Sequence, residues 1–119
     1  MVKIEKLKGS FTYAFYGWQF ALKNDQNIRI HLLVALLVLA ASFYFNLSFL
    51  ETGILVAMMV LVISCELMNT AVEKMVDLIT TEHRMDAKFA KDVSSAMVLT
   101  SAVGSVIVGL IIFFPHVFS

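Results

Sequence analysis

The stretch Cys65–Leu78, CELMNTAVEKMVDL, decides the fold and the class of function. Glu66 directly follows the apolar run Ile54–Cys65, so the first residues of this stretch lie at the end of a membrane-spanning segment. At about 100° per residue, a quarter of the helix surface carries an acidic stripe made of Glu66, Asn69, Thr70, Glu73 and Asp77. A carboxylate costs roughly 3 kcal/mol at the centre of a bilayer and less near an interface. A solvated helix end suits Asp77, and Glu73 as an alternative reading, but it does not suit Glu66, so the acidic stripe predicts a functional site.

The composition is that of an integral membrane protein. Of 119 residues, 60% are hydrophobic, and the mean hydropathy is +0.85. An average soluble protein is 45–50% apolar, and a soluble domain of this size could not cover so much apolar surface. A single proline, few glycines and no alternation of polar and apolar residues favour helices over a barrel. We therefore predict one all-α membrane domain over residues 1–119.

Charge and cysteine content exclude several classes of protein. The formal net charge is zero, so bulk charge indicates no nucleic-acid partner. The single cysteine, Cys65, excludes an intrachain disulfide and is interpreted as a small packing residue. The start, MVKIEKLKGS, has no cleavable apolar core, so we expect no signal peptide.

Helical periodicity and apolar runs predict four helices. Residues 3–24 place lysines beside an aromatic-rich body, which is typical of an amphipathic helix on the membrane surface. Three membrane spans follow at 28–45, 49–79 and 87–114, the second with a cytoplasmic extension. Pro115 is expected to end the last helix.

The basic residues set the predicted topology. All nine lie before or in the first turn of the first span, or between the cytoplasmic extension of the second span and the first turns of the third. They are Lys3, Lys6, Lys8, Lys23, Arg29, Lys74, Arg84, Lys88 and Lys91. Cytoplasmic segments carry the excess of Lys and Arg. We expect the N-terminus and the second connection inside the cell, and the C-terminus outside.

A second polar face lies at the start of the last helix, where Lys88, Lys91, Asp92 and Ser95 share one side. An antiparallel hairpin should bring this face to the acidic stripe, with Asp25 at the same depth. Two carboxylates can hold Mg²⁺, a lysine can neutralise a phosphoryl group, and another carboxylate can accept a hydroxyl proton. The sequence has no phosphate-binding G-x-x-x-x-G-K-[ST] loop, no protein-kinase motifs and no zinc ligand set. The pattern favours phosphoryl transfer at the inner membrane boundary.

A non-enzymatic role stays open as the alternative. Helices with internal carboxylates and a lysine also occur in small membrane subunits and ion paths. An ion path needs polar residues across the whole bilayer, whereas the outer halves at 34–45, 50–59 and 106–114 are almost wholly apolar. This one-sided polarity favours chemistry at a lipid headgroup.

Two motifs resemble those of the bacterial diacylglycerol kinase/undecaprenol kinase family. These are ELMNTAVEKMVD at Glu66–Asp77 and AKDVSSA at Ala90–Ala96, and N-D-x-x-x-R at Asn24–Arg29 agrees with them. The resemblance covers the whole chain. It implies a homotrimeric kinase of the bacterial plasma membrane that moves the γ-phosphate of MgATP onto a lipid hydroxyl.

The resemblance also implies residue roles. Glu66 would be the general base toward the lipid hydroxyl, and Asn69 would orient nearby groups. Glu73 and Asp25 would hold Mg²⁺. The family usually has glutamate where this chain has Asp25, which is one methylene shorter, so the backbone must approach more closely or a water must intervene.

Further implied contacts concern the nucleotide and the lipid. Lys91 and Asp92, with Glu73, would contact the nucleotide, and Ser95 would lie near the lipid headgroup. Weaker nucleotide contacts are implied on the surface helix and the second connection, at Lys6, Tyr13, Glu82 and Arg84.

The substrate divides the family. Some members phosphorylate diacylglycerol, and members of Gram-positive type resemble undecaprenol kinases. The stretch NIRIH at Asn27–His31 resembles the Gram-positive type. Undecaprenol is therefore the favoured substrate, with diacylglycerol as the alternative. Taken by itself, His31 reads as a polar side chain at the membrane boundary.

Overall fold

A computed structural model describes residues 1–118; Ser119, the last residue of the predicted domain, lies outside the described residues. Residues 1–118 form four α-helices: α1 Ile4–Asn24, α2 Gln26–Tyr44, α3 Phe49–Ile79 and α4 Met85–Val117. By length and composition, α2, α3 and α4 can each cross a membrane. The predicted all-helical membrane fold with three long apolar helices is thus confirmed.

The helix boundaries agree with expectation for α3 and differ at both ends of α4. The last helix begins at Met85, two residues before the predicted start, and Pro115 does not end it. Proline lacks an N–H and crowds the preceding turn, so it disrupts a helix interior. Here the helix continues only to Val117, and the Phe118 N–H still donates to the Phe114 carbonyl at 3.1 Å. Proline so close to a helix end disturbs little, which is why this prediction was wrong.

Asp25 forms the break between α1 and α2. Its backbone is extended, with φ −114° and ψ 107°, and its N–H donates to the Ala21 carbonyl at 2.8 Å. Its Oδ1 accepts from the backbone N–H groups of Asn27 at 2.9 Å and Ile28 at 3.4 Å. An aspartate in this N-cap position satisfies amides that have no partner inside the helix. The carboxylate is thereby fixed at the mouth of α2.

Arg29 fixes the same break from the other side. Its Nη1 donates to the carbonyls of Leu22 at 2.8 Å and Lys23 at 3.1 Å, at the end of α1. A cation at a helix C-terminus also interacts favourably with the helix dipole. The angle between α1 and α2 is therefore held by the side chains of Asp25, the N-cap of α2, and Arg29, in the first turn of α2.

The helix α3 lies at the centre of the bundle and packs against α4 and α2, and α1 packs against α2. The buried apolar side chains are few: Ala21, Ile28, Leu55, Val62 and Ile112. Large apolar side chains such as Leu36 and Leu110 are exposed instead. Exposed apolar surface of this extent is expected where lipid, rather than water, is the solvent.

At the other end of the bundle from the acidic stripe, a polar clasp joins α3 to α4. The Ser48 Oγ accepts from the Glu51 N–H at 3.1 Å, and the Ser48 N–H donates to Glu51 Oε1 at 2.9 Å. This reciprocal capping box begins α3. Glu51 Oε2 also lies 3.1 Å from His116 Nε2 near the end of α4. The clasp fixes the register of the hairpin without touching the acidic stripe.

Candidate active site

Glu66 is the most deeply buried charged residue of the acidic stripe, with 1% of its surface exposed. Within residues 1–118 its Oε2 has no hydrogen-bond partner. The nearest ring nitrogen, His31 Nε2, is 3.8 Å away, beyond hydrogen-bond distance. The carboxylates of Asp25 and Glu73 are its acidic neighbours. A buried carboxylate oxygen without a donor is costly, so its persistence points to a ligand or a reaction at this atom.

Asn69 presents a second open oxygen one turn further along α3. Its Nδ2 donates to Glu73 Oε1 at 3.5 Å, which is the long limit of a hydrogen bond. Its Oδ1 is buried and has no partner in the described chain. The amide therefore orients Glu73 and leaves one acceptor free.

Thr70 connects the acidic stripe to the start of α2. Its hydroxyl donates to Asp25 Oδ2 at 2.6 Å, and Oγ1 also lies 3.1 Å from the Glu66 carbonyl oxygen. Asp25 is thus held by backbone amides at one oxygen and by Thr70 at the other. Helical spacing placed Thr70 on the acidic stripe, but sequence reasoning assigned it no role. Its position one turn after Glu66 was the sequence feature that could have indicated a role in the site.

Lys91 is the residue of the second polar face, at the start of α4, that contacts α3 within residues 1–118. Its Nζ donates to Asp77 Oδ1 at 2.7 Å. Asp92 instead pairs with Lys88, and Ser95 is exposed. Within residues 1–118, one member of this face contacts the acidic stripe directly, because successive residues point about 100° apart and the packed side of α4 passes through Lys91 and Ser94.

Ser94 was missed by the sequence reasoning. It is buried, and no partner for its Oγ is found in residues 1–118. Ser101, two turns further along, is buried as well, and its hydroxyl donates to the Val98 carbonyl at 2.8 Å. Small residues let membrane helices approach closely, and the packed side of α4 follows them. The adjacent pair Ser94-Ser95 offered no sequence signal to separate the inner serine from the outer one.

The connection between α3 and α4 borders a cavity of about 380 Å³. Glu82 and Arg84 line it and pair with each other, with Arg84 Nε donating to Glu82 Oε2 at 3.2 Å. Lys91 and Asp92 line the same cavity. The structure thus brings four of the predicted nucleotide contacts to one place. The two on α1, Lys6 and Tyr13, are exposed and do not line it.

The carboxylate and amide oxygens of the acidic stripe and Asp25 suit a hard cation that also binds a second ligand, such as a phosphate. Across residues 1–118, no group of three or more His, Cys, Asp or Glu side chains is placed to hold a metal ion. Asp25 and Glu73 are nevertheless both acidic neighbours of Glu66, and Asn69, which donates to Glu73, leaves its Oδ1 open. Mg²⁺ is characteristically held by one or two carboxylates, with water and substrate phosphates completing an octahedron. The residues fit Mg²⁺ bound together with a nucleotide.

Comparison with known proteins identifies the family. Residues 12–113 match the family described as prokaryotic diacylglycerol kinase. The chain is 41% identical over 107 residues to undecaprenol kinase of Bacillus subtilis, covering 89% of this chain and 86% of the relative. It is 36% identical over 112 residues to a Synechocystis diacylglycerol kinase. This match covers 92% of this chain but only 63% of the relative, which is less than two thirds of its length. It is 31% identical over 109 residues to the Haemophilus influenzae diacylglycerol kinase, a match that covers 91% of this chain and 92% of the relative. The chain therefore belongs to the prokaryotic diacylglycerol kinase family and is a lipid kinase.

Proposed function

We propose that this kinase transfers the γ-phosphoryl group of MgATP to the hydroxyl of undecaprenol, giving undecaprenyl phosphate and ADP. The observation that carries the proposal is Glu66, a carboxylate that is 1% exposed and has an Oε2 without a donor in residues 1–118. It lies where an apolar helix becomes polar, which is where the hydroxyl of a membrane lipid meets a water-soluble nucleotide.

In the proposed reaction, Glu66 is the general base. Its Oε2 accepts the hydroxyl proton while the hydroxyl oxygen bonds to the γ-phosphorus. The bond from that phosphorus to the oxygen bridging the β-phosphate breaks, and ADP leaves. Phosphoryl transfer depends mainly on positioning and charge neutralisation, so few groups are needed.

Asp25 and Glu73 are the proposed Mg²⁺ ligands, and Asn69 orients Glu73. When bound, Mg²⁺ neutralises charge on the transferring phosphates. Asp25 is suited to this role despite its short side chain because it caps α2 and accepts the Thr70 hydrogen bond at 2.6 Å. These contacts fix the position of the shorter carboxylate, which supports Asp25 as a ligand.

The proposed nucleotide site is the cavity beside the α3–α4 connection. Lys91, held by Asp77 at 2.7 Å, faces the phosphates, and Asp92, Glu82 and Arg84 complete the wall. Lys6 and Tyr13 on α1 are proposed as outer contacts. Ser95 is assigned to the lipid headgroup.

A homotrimer is proposed as the working assembly. Asp92 and Ser95 are exposed on α4, where a neighbouring protomer can cover them. Burying charged faces between protomers avoids exposing them to lipid. We place α1 on the inner surface of the bacterial plasma membrane, the active site facing the cytoplasm and the C-terminus outside. The distribution of basic residues supports this orientation.

Diacylglycerol is the second candidate acceptor, because several relatives carry that name, including those of Synechocystis and Haemophilus influenzae. Undecaprenol is preferred because the Bacillus subtilis relative, at 41% identity, is an undecaprenol kinase. The segment Asn27–His31 also resembles the Gram-positive type. Membership of a kinase family sets aside the non-enzymatic alternative.

The test is phosphate transfer from γ-labelled ATP by purified protein in mixed micelles, with undecaprenol and diacylglycerol offered separately. We expect label mainly in undecaprenyl phosphate, and none when Mg²⁺ is chelated. Predominant label in phosphatidic acid would replace the proposed acceptor with diacylglycerol. Label in neither lipid, with folded protein and Mg²⁺ present, would overturn the proposal.

A further inference from the structure

An apolar groove lies between α2, α3 and α4. It encloses about 360 Å³, within the range of small-molecule sites. Its walls are almost wholly hydrocarbon, with Val34 and Val38 on α2, Leu55 and Met59 on α3, and Phe113 on α4. The Phe113 ring packs edge-on against Phe45 at 6.0 Å between centroids, which joins α2 to α4 beside the groove.

His31 ends the groove on the side of the acidic stripe. Its ring lines the groove, and its Nε2 is 3.8 Å from Glu66 Oε2. That separation is too long for a hydrogen bond but admits one hydroxyl oxygen at about 2.8 Å from both atoms. Glu66 is 1% exposed, and its Oε2 lacks a donor in the described residues. The groove therefore leads from the bilayer to His31, and the open acceptor lies directly behind that ring.

The lining discriminates between the two candidate lipids. In a prenyl alcohol, one hydrocarbon chain is attached directly to the carbon that bears the hydroxyl. In 1,2-diacylglycerol, the carbon next to the hydroxyl-bearing carbon carries one ester group and the following carbon carries a second. Their carbonyls would enter an apolar groove in which His31 and Ser105 are the polar lining residues. Burying a polar group without a hydrogen bond is costly. The groove therefore fits a single-chain alcohol.

We propose that this groove binds the first part of the hydrocarbon chain of a single-chain prenyl alcohol, and that His31 positions its hydroxyl against Glu66. This inference rests on the proposed kinase function and adds the binding site for the chain. From His31 to Val38 the helix rises about 10 Å, so a long chain fills the groove and continues into the surrounding lipid.

The test compares Ala35→Trp, which fills the groove from α2, with Leu37→Trp on the same helix. Ala35 lines the groove, and Leu37 is 61% exposed. The measured quantities are the KM for undecaprenol, for diacylglycerol and for ATP. Each buried methylene contributes roughly fourfold in affinity, so losing two should raise the prenol KM about fifteenfold. Ala35→Trp should do so without changing the KM for ATP, and Leu37→Trp should change neither.

His31 is tested by a second pair of variants. His31→Phe keeps a ring but removes both nitrogens, and we expect kcat/KM for the lipid to fall about tenfold with the KM for ATP unchanged. His31→Gln, which restores a donor, should recover part of the loss. A structural role would affect both substrates and would not be rescued by glutamine.

Several results would overturn the inference. These are an unchanged prenol KM in Ala35→Trp, an equal rise for both lipids, or His31→Phe with wild-type kinetics. Loss of oligomer in Ala35→Trp but not in Leu37→Trp would assign the groove to a helix of a second copy instead. Failure of the wild-type protein to label any lipid would refute the proposed function itself, and is thereby distinguished from failure of the groove.

Discussion

Replacement of Thr70 by valine tests how the acidic stripe holds Asp25. The Thr70 hydroxyl donates to Asp25 Oδ2 at 2.6 Å in a partly buried position. A hydrogen bond to a charged group contributes about 1.5–3 kcal/mol. Valine has nearly the same shape, so Thr70→Val removes the donor without opening a cavity. We expect the free energy of unfolding to fall by about 1.5–3 kcal/mol.

The same variant should weaken Mg²⁺ binding, because Asp25, a proposed ligand, loses one of the contacts that fix its carboxylate. A change of 1.5 kcal/mol corresponds to about a tenfold shift of an equilibrium, so half-maximal activity should require about tenfold more Mg²⁺. The assays are Mg²⁺ titration of phosphate transfer and denaturant unfolding in micelles. Thr70→Ser keeps the hydroxyl and is the matched control. A Thr70→Val protein equal to wild type in both assays would refute the reasoning.

Three other substitutions separate structural from functional contributions. Asp25→Asn keeps an oxygen that can cap α2, so stability should stay within about 1 kcal/mol of wild type while the Mg²⁺ requirement rises; an unchanged Mg²⁺ titration would remove Asp25 as a ligand. Lys91→Met should raise the KM for ATP about tenfold or more. Asp77→Asn loses only an exposed ion pair, so its effect on that KM should be much smaller. Similar KM values for the two variants would contradict the assignment of Lys91 to the nucleotide phosphates. Glu51→Ala removes the capping box and the contact with His116, so it should cost about 1–2 kcal/mol of stability without lowering kcat, and a thermal melt beside a kinase assay checks both.

The sequence predicted the helices well because membrane spans depend on long apolar runs. The bounds of α3 agree with the prediction at Phe49 and Ile79. The beginning of α4 at Met85 was placed two residues late, since the Arg84 N-cap makes no side-chain hydrogen bond and so left no capping signal. Its end was placed too early because proline was treated as a stop, although at Pro115 few helical bonds remain to be lost.

The candidate site was predictable along one helix but not between helices. The spacing of Glu66, Asn69 and Glu73 follows from helical geometry alone. The rotation of α4 does not, because it is set by which small residues pack, and an error of one residue turns a side chain by about 100°. That is why Ser94 faces inward while Ser95 is exposed.

Contacts across helices were the other part that sequence reasoning could not supply. The hydrogen bond between Thr70 and Asp25 joins residues 45 positions apart. The approach of His31 to Glu66 likewise depends on how α2 packs against α3. Both contacts need the relative depth of two helices, which apolar runs locate only to within a turn or so.

The measurement that tests the central claim most directly is phosphate transfer by Glu66→Gln beside its binding of MgATP. Glutamine has nearly the same shape but cannot take the hydroxyl proton, and removing a general base typically lowers the rate by about 10²–10⁴-fold. We predict that label transfer from γ-labelled ATP to undecaprenol falls by this factor while the Kd for MgATP stays within about twofold of wild type. Transfer at the wild-type rate would contradict the assignment of Glu66 as the base of this kinase.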